Sequence, residues 1–174
     1  NFGSRLCRLL ADHSPLTVLV AGRSVKDAQH FCDTLPSNRA KTLPLYFDRN
    51  ASDIEDRLRA IRPHLVVDVT GPFQTYGQDP YHVVKACLAT STNYIDLADG
   101  AQFVHDINQF DEQAKSKNIC VLSGVSTVPV LTAAVVRRLA KGLNKIQSIT
   151  TGIAPSPHGN IGPNVIAAIT SYAG

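Results

Sequence analysis

Two short clusters of residues hold the strongest chemical signal in this 174-residue chain. One is Asn1-Phe2-Gly3, at the start of a helix-like run, and the other is Arg23-Ser24, at the end of the apolar stretch Leu16 to Ala21. In a dinucleotide-binding fold, the third glycine of a G-x-G-x-x-G loop lets the first helix pack close to its strand. About 20 residues later comes the side chain that reads the adenosine ribose. Arg23 lies twenty residues beyond Gly3. An acid at that position would bond the ribose 2′-hydroxyl and repel a 2′-phosphate. An arginine with a hydroxyl beside it attracts the phosphate, through charge-assisted hydrogen bonds worth about 1.5–3 kcal/mol each. The spacing predicts NADP as the cofactor, with Asn1, Phe2 and Gly3 at the pyrophosphate and Arg23 and Ser24 at the 2′-phosphate. The first strand and the first two glycines of the motif would then precede residue 1. A plainer reading stays open for each cluster: a helix-start glycine, and an arginine solvated at a strand end.

Further candidates stand where other strands are expected to end. Asp48 could accept from the adenine amino group or simply form a turn. Gly71-Pro72-Phe73 follows an apolar strand and is expected near the pyrophosphate and nicotinamide, the glycine permitting close approach and the proline stiffening the turn. Tyr76-Gly77 could wall the same place. A merely structural turn is the alternative. Asp99 could face a substrate and is the one tentative catalytic residue, while Asp68, inside its strand, reads as a buried hydrogen-bonding group. Ser123-Gly124 and Ser126-Thr127 offer hydroxyls on the nicotinamide side. No serine sits in a G-x-S-x-G elbow, which leaves hydrolase chemistry unsupported. The six histidines show no H-x-x-x-H pair, so no metal is expected.

The elements that must position these residues follow from periodicity. Leu6, Leu9 and Leu10 predict a helix over 3–12, followed by a strand over 16–21. Val25, Ala28, Phe31, Cys32 and Leu35 mark a second helix stopped by Pro36, and a strand runs from Leu43 to Phe47. Ser52-Asp-Ile-Glu55 has the form of a capping box opening a helix that Pro63 ends. Leu65 to Thr70 reads as a strand covered on both faces. Asp79 and Pro80 should open a helix reaching about Thr90, with Val83, Val84, Cys87 and Leu88 buried. A strand over 94–97, a helix with Phe103, Ile107, Phe110 and Ala114 on one face, a strand over 119–123 and a helix over 130–140 complete the series. This alternation predicts an α/β fold, a doubly wound, Rossmann-like parallel sheet with right-handed crossovers. From Lys145 the texture changes. Ile146 to Ile153 could form a strand, and turn formers crowd residues 154–163. The expected organisation is a dinucleotide-binding domain over 1–144 and the beginning of a second, α+β substrate or dimerisation domain over 145–174, within a longer protein.

Composition narrows the function classes. A net charge of +3, without long basic runs, speaks against nucleic acid and anionic membranes as partners. No apolar stretch reaches the roughly 18 residues of a membrane span. Cys7, Cys32, Cys87 and Cys120 are widely spaced and lie in apolar runs, which predicts four reduced core cysteines and a cytoplasmic location. The sequon Asn50-Ala51-Ser52 is taken as accidental.

Asn1-Phe2-Gly3, Ala21-Gly-Arg-Ser24, Val66-Val-Asp-Val-Thr-Gly-Pro-Phe73, Tyr76-Gly77, the Val83-Val84 to Cys87 helix, Tyr94-Ile-Asp-Leu97 and Ser123-Gly124 to Pro129 together resemble the saccharopine dehydrogenase-like oxidoreductases. The likeness covers nearly the whole chain and is most specific from Val66 to Leu97. It implies an NADP-linked oxidoreductase with a small-molecule substrate bound between two domains, and it leaves a homodimer open. A non-catalytic NADP-binding sensor or interaction module is the alternative. Many members follow the aspartate-leucine strand with a Gly-Glu pair, where this chain has Ala98-Asp99-Gly100.

Overall fold

The structure is a computed structural model describing residues 2–13, 15–35, 39–152, 166 and 170. The chain divides into two compact units, Asn1–Arg62 and Pro63–Gly174.

The first unit alternates helix and strand: α1 (Phe2–Ala11), β1 (Thr17–Gly22), α2 (Val25–Asp33), β2 (Lys41–Tyr46) and α3 (Ile54–Ile61). β1 and β2 pair in parallel, Thr17 with Lys41 through Gly22 with Tyr46. Apolar side chains at helical spacing supply its core: Ala11 from α1, Ala28 and Cys32 from α2, and Ile54 and Leu58 from α3 are buried. Burying a side chain the size of Ile54 or Leu58 stabilises by about 1.5–3 kcal/mol. The expected capping box does not form. α3 begins at Ile54 behind Asp53, whose carboxylate makes no cap hydrogen bond. Instead it accepts from Arg57 Nε at 3.0 Å, one helical turn ahead. Arg62 closes α3 in the left-handed conformation (φ 50°), its N–H donating to Leu58 O at 2.8 Å. Pro63 follows and disfavours further helix in the residue before it.

The second unit holds β3 (Leu65–Asp68), α4 (His82–Thr90), β4 (Asn93–Asp96), α5 (Ala101–Asp106), α6 (Asp111–Ser116), β5 (Val121–Leu122) and α7 (Thr132–Leu139), with 3₁₀ turns at Phe73–Thr75 and Ile107–Phe110. Its sheet is parallel, in the order β3-β4-β5. All-parallel pairing in both units is the arrangement expected of a Rossmann-like α/β fold. α4 is the most buried helix: Val83, Val84, Ala86, Cys87 and Leu88 are all enclosed.

Several boundaries differ from the periodicity. β3 stops at Asp68, because its carboxylate turns back to bond Thr70, and Leu65 is exposed. α4 opens at His82 with no side-chain cap. Asp79 is drawn to Lys85 Nζ at 2.8 Å instead, and that ammonium holds its carboxyl below the usual range. The single helix expected through Phe103 and Ala114 is broken into α5, a 3₁₀ turn and α6, although Phe103, Phe110 and Ala114 are buried as their spacing requires. β5 is only two residues long. α7 starts after an irregular segment in which Val128 is extended (φ −120°, ψ 121°). Residues 145–152 form no regular structure, and Ile153 with the turn-rich stretch 154–163 lies outside the described residues. Cys120 is exposed, unlike Cys32 and Cys87, because it precedes the short β5 rather than facing the core. No helix of the described residues is long and apolar enough to cross a membrane.

Candidate functional site

In the first unit, the predicted cofactor residues lie at the ends of elements. Asn1 is outside the described residues. Phe2 is exposed and Gly3 half-buried in the first turn of α1. Arg23 is exposed, immediately after Gly22 ends β1. Ser24 has a role that its sequence position did not announce: it is the N-cap of α2, its Oγ accepting from the Asp27 N–H at 3.2 Å. That bond uses an oxygen lone pair and leaves the hydroxyl hydrogen available to an outside acceptor. A guanidinium and a hydroxyl at the start of a nine-residue helix make a donor-rich setting suited to a phosphate. Asp48 accepts from Asn50 N–H at 3.0 Å, so one of its oxygens serves its own turn.

In the second unit, three loops leave the carboxyl ends of β3, β4 and β5 and are tied to one another. Gly71 and Pro72, joined by a cis peptide, are half-buried. A Cβ on Gly71 would rest 3.6 Å from the Phe73 ring, an ordinary contact, so at this position the chain itself does not demand a glycine. Phe73 is buried, with Tyr76 at 4.6 Å and Phe103 at 5.1 Å between ring centroids. Tyr81 stacks on Phe103 at 4.7 Å and donates its hydroxyl to the Phe103 carbonyl at 2.9 Å. Asp99 is exposed, and its Oδ1 accepts from Gln74 Nε2 at 2.9 Å, which joins the β4 loop to the β3 loop. Gly100 is packed beneath this pair: a Cβ there would come within 3.4 Å of Gln74 Cγ.

Below these loops lie two buried carboxylates. Asp68 and Asp96 end β3 and β4, face each other in register, and are 5 % and 0 % exposed. Asp68 Oδ1 accepts from the Thr70 N–H at 2.9 Å and the Thr70 hydroxyl at 2.7 Å. The Tyr76 hydroxyl lies 2.5 Å from Thr70 Oγ1 and 3.4 Å from Asp68 Oδ1. Asp96 Oδ1 accepts from the N–H groups of Ala98 at 2.9 Å and Gly124 at 2.8 Å, and from Ser123 Oγ at 2.9 Å. The second oxygen of each carboxylate has no hydrogen-bond partner among the described residues. Burial raises the Asp96 pKa, opposed by the Gly124 and Ala98 amides, the Ser123 hydroxyl and the Tyr94 phenol. Tyr94, buried beside both acids, has its phenol driven far above the ordinary value by desolvation and then by their negative charge. Burial pushes the Cys87 thiol up to about 12, with the Asp68 charge adding to it, so it is an inert core group.

Reasoning from sequence located the loops but not this network. The signal was present: Asp68-Val-Thr70 and Asp96-Leu-Ala98 both place an acceptor two residues before a bonded N–H, the pattern of an Asx turn. The links between Asp96 and Ser123-Gly124 and between Gln74 and Asp99 span 25 or more residues, beyond the reach of local pattern.

A family model, the saccharopine dehydrogenase NADP binding domain, matches residues 1–122, from α1 into β5. The chain belongs to this family. No curated protein sequence matches it significantly. The cofactor expected from Arg23 is therefore the family's own, and this saccharopine dehydrogenase-type domain is an NADP-binding one. Its residues fit that cofactor, since the exposed Arg23 guanidinium and Ser24 hydroxyl are donors at the carboxyl end of β1, where such sheets bind ligands. Membership also supports a general oxidoreductase role. α7 and everything after it lie beyond the matched region.

Proposed function

We propose that this chain is the NADP(H)-binding part of an oxidoreductase that transfers hydride to or from a small-molecule substrate. The observation that carries the reading is Arg23, exposed at the carboxyl tip of β1 with Ser24 capping α2 directly behind it. Carboxyl ends of parallel strands are where α/β sheets bind ligands. In this reading Asn1, Phe2 and Gly3 attend the pyrophosphate, and Arg23 and Ser24 hold the 2′-phosphate. Asp48 lies toward the adenine, and Gly71, Pro72, Phe73 and Tyr76 lie against the nicotinamide half. The bound nicotinamide supplies the hydride chemistry. The chain's residues supply position and, through the Phe73–Tyr76–Phe103 aromatic cluster, an apolar wall that excludes water. Asp99, exposed and held by Gln74, is the proposed substrate-facing acid.

The test pairs cofactor titration with turnover. Arg23→Ala should weaken NADPH by about 10- to 100-fold, the loss of one or two charge-assisted hydrogen bonds, and leave NADH unchanged. Oxidation of NADPH followed at 340 nm with imines, oxo acids and enoyl thioesters should reveal a substrate. Equal affinity of the wild type for NADPH and NADH overturns the role of Arg23. Tight NADPH binding without turnover of any of these classes replaces the enzyme with a sensor.

A further inference from the structure

We propose that Asp68 is a positioning residue for the nicotinamide-side loop, holding Gly71 to Tyr76 in register through Thr70 and Tyr76 without itself touching the cofactor. The inference rests on the reading above, which sets this loop against the nicotinamide half. Asp68 is the last residue of β3 and is buried, and its Oδ1 gathers every hydrogen bond the carboxylate makes among the described residues. A carboxylate only accepts, so the Thr70 hydroxyl must give its hydrogen to Asp68. The Thr70 oxygen is then the acceptor for the Tyr76 hydroxyl. The chain of hydrogen bonds has one direction, Tyr76 to Thr70 to Asp68, and it pins both ends of the segment between them.

Between those anchors the loop has its own supports. The Thr75 N–H closes a turn on the Pro72 carbonyl at 3.2 Å, and the Phe73 ring is wedged against Tyr76 and Phe103. Remove the carboxylate and the Thr70 N–H and hydroxyl lose their acceptor, and the Tyr76 hydroxyl loses the oriented Thr70 oxygen that receives its hydrogen. A side chain that only ended a strand would not need an ionisable group there. Burying one costs several kcal/mol unless its hydrogen bonds compensate.

The experiment uses purified full-length protein and three probes: NADPH, NADH and 2′,5′-ADP, which carries the 2′-phosphate but no nicotinamide. Asp68→Ala should weaken NADPH and NADH alike, by about tenfold or more, as expected for losing an ordered charged acceptor. Binding of 2′,5′-ADP should stay unchanged, and the fluorescence of bound NADPH should move toward that of the free cofactor. Asp68→Asn keeps the Oδ1 acceptor and should remain within about threefold of wild type. Arg23→Ala gives the opposite pattern, losing 2′,5′-ADP and NADPH but not NADH. Should Asp68→Ala fail to fold, Thr70→Val, which removes the hydroxyl and keeps the N–H, carries the same test with the same pattern. Wild-type affinity for NADPH in Asp68→Ala, or loss of 2′,5′-ADP in step with NADPH, overturns the positioning role alone. Wild type binding none of the probes overturns the cofactor reading first.

Discussion

The residues that end β1 and β2 keep their polar groups at or near the surface, whereas those that end β3 and β4 bury theirs. Arg23 is exposed, Asp48 gives one oxygen to its own turn, and the ion pairs of α3 are local pairs one helical turn apart. Asp68 and Asp96, by contrast, are enclosed: Asp68 gathers the loop that follows its own strand, and Asp96 ties its own loop to the one after β5. Exposed charges contribute little to stability and are screened by salt, yet a ligand can reach them without displacing protein. Buried carboxylates carry a desolvation cost and in return fix the backbone around them. The first unit leaves charge open to solvent, and the second uses buried charge to fix the shape of its own loops.

Deleting the more deeply buried of these carboxylates should separate the two units most clearly. Asp96→Ala strands two buried amides and the Ser123 hydroxyl, and at about 1–3 kcal/mol for each unsatisfied group the loss should reach about 3–5 kcal/mol in urea unfolding. A loss below 1 kcal/mol would erase the contrast between the units.

A smaller effect follows from the titration of the same residue. The folded-state pKa of Asp96 is raised from 3.8, chiefly by burial, so the unfolded chain gives up this proton at lower pH than the folded one. The Asp96 contribution is therefore fully present below about pH 3.8 and declines as pH rises through the folded value. Asp96→Asn keeps the Oδ1 acceptor and should remove this decline. Unfolding midpoints of wild type and variant between pH 3 and 8 would converge at the acid end, and parallel curves would refute the assignment.

The smallest expected change lies in the first unit. Ser24→Ala removes the α2 cap and should lower stability by about 1 kcal/mol, while also weakening NADPH relative to NADH. An unchanged nucleotide preference would confine Ser24 to its structural role and sharpen the claim on Arg23.

Much of the fold is legible in local pattern because it is written in periods of two and three to four residues. The core positions Ala28, Cys32, Leu58, Val83, Val84, Leu88, Phe103, Phe110 and Ala114 follow from apolar spacing, and each is buried. Helix starts are less legible. Ser52 has the right residue type for a cap, yet α3 starts one residue later behind Asp53, and the carboxylates of Asp53 and Asp79 bond the cations Arg57 and Lys85 instead of capping.

By itself the sequence determined the alternation of helices and parallel strands and the resemblance to a family whose domain binds NADP, because apolar periodicity and short motifs are properties of neighbouring residues. Only the tertiary structure decided that Asp68 and Asp96 stand side by side under the loops, that Ser123 and Gly124 bond an acid 27 and 28 residues earlier, and that Asp99 is held by Gln74. Those contacts depend on which strands lie beside each other and in what register, and nothing in a short stretch of chain encodes a neighbour that folding alone brings within hydrogen-bond distance.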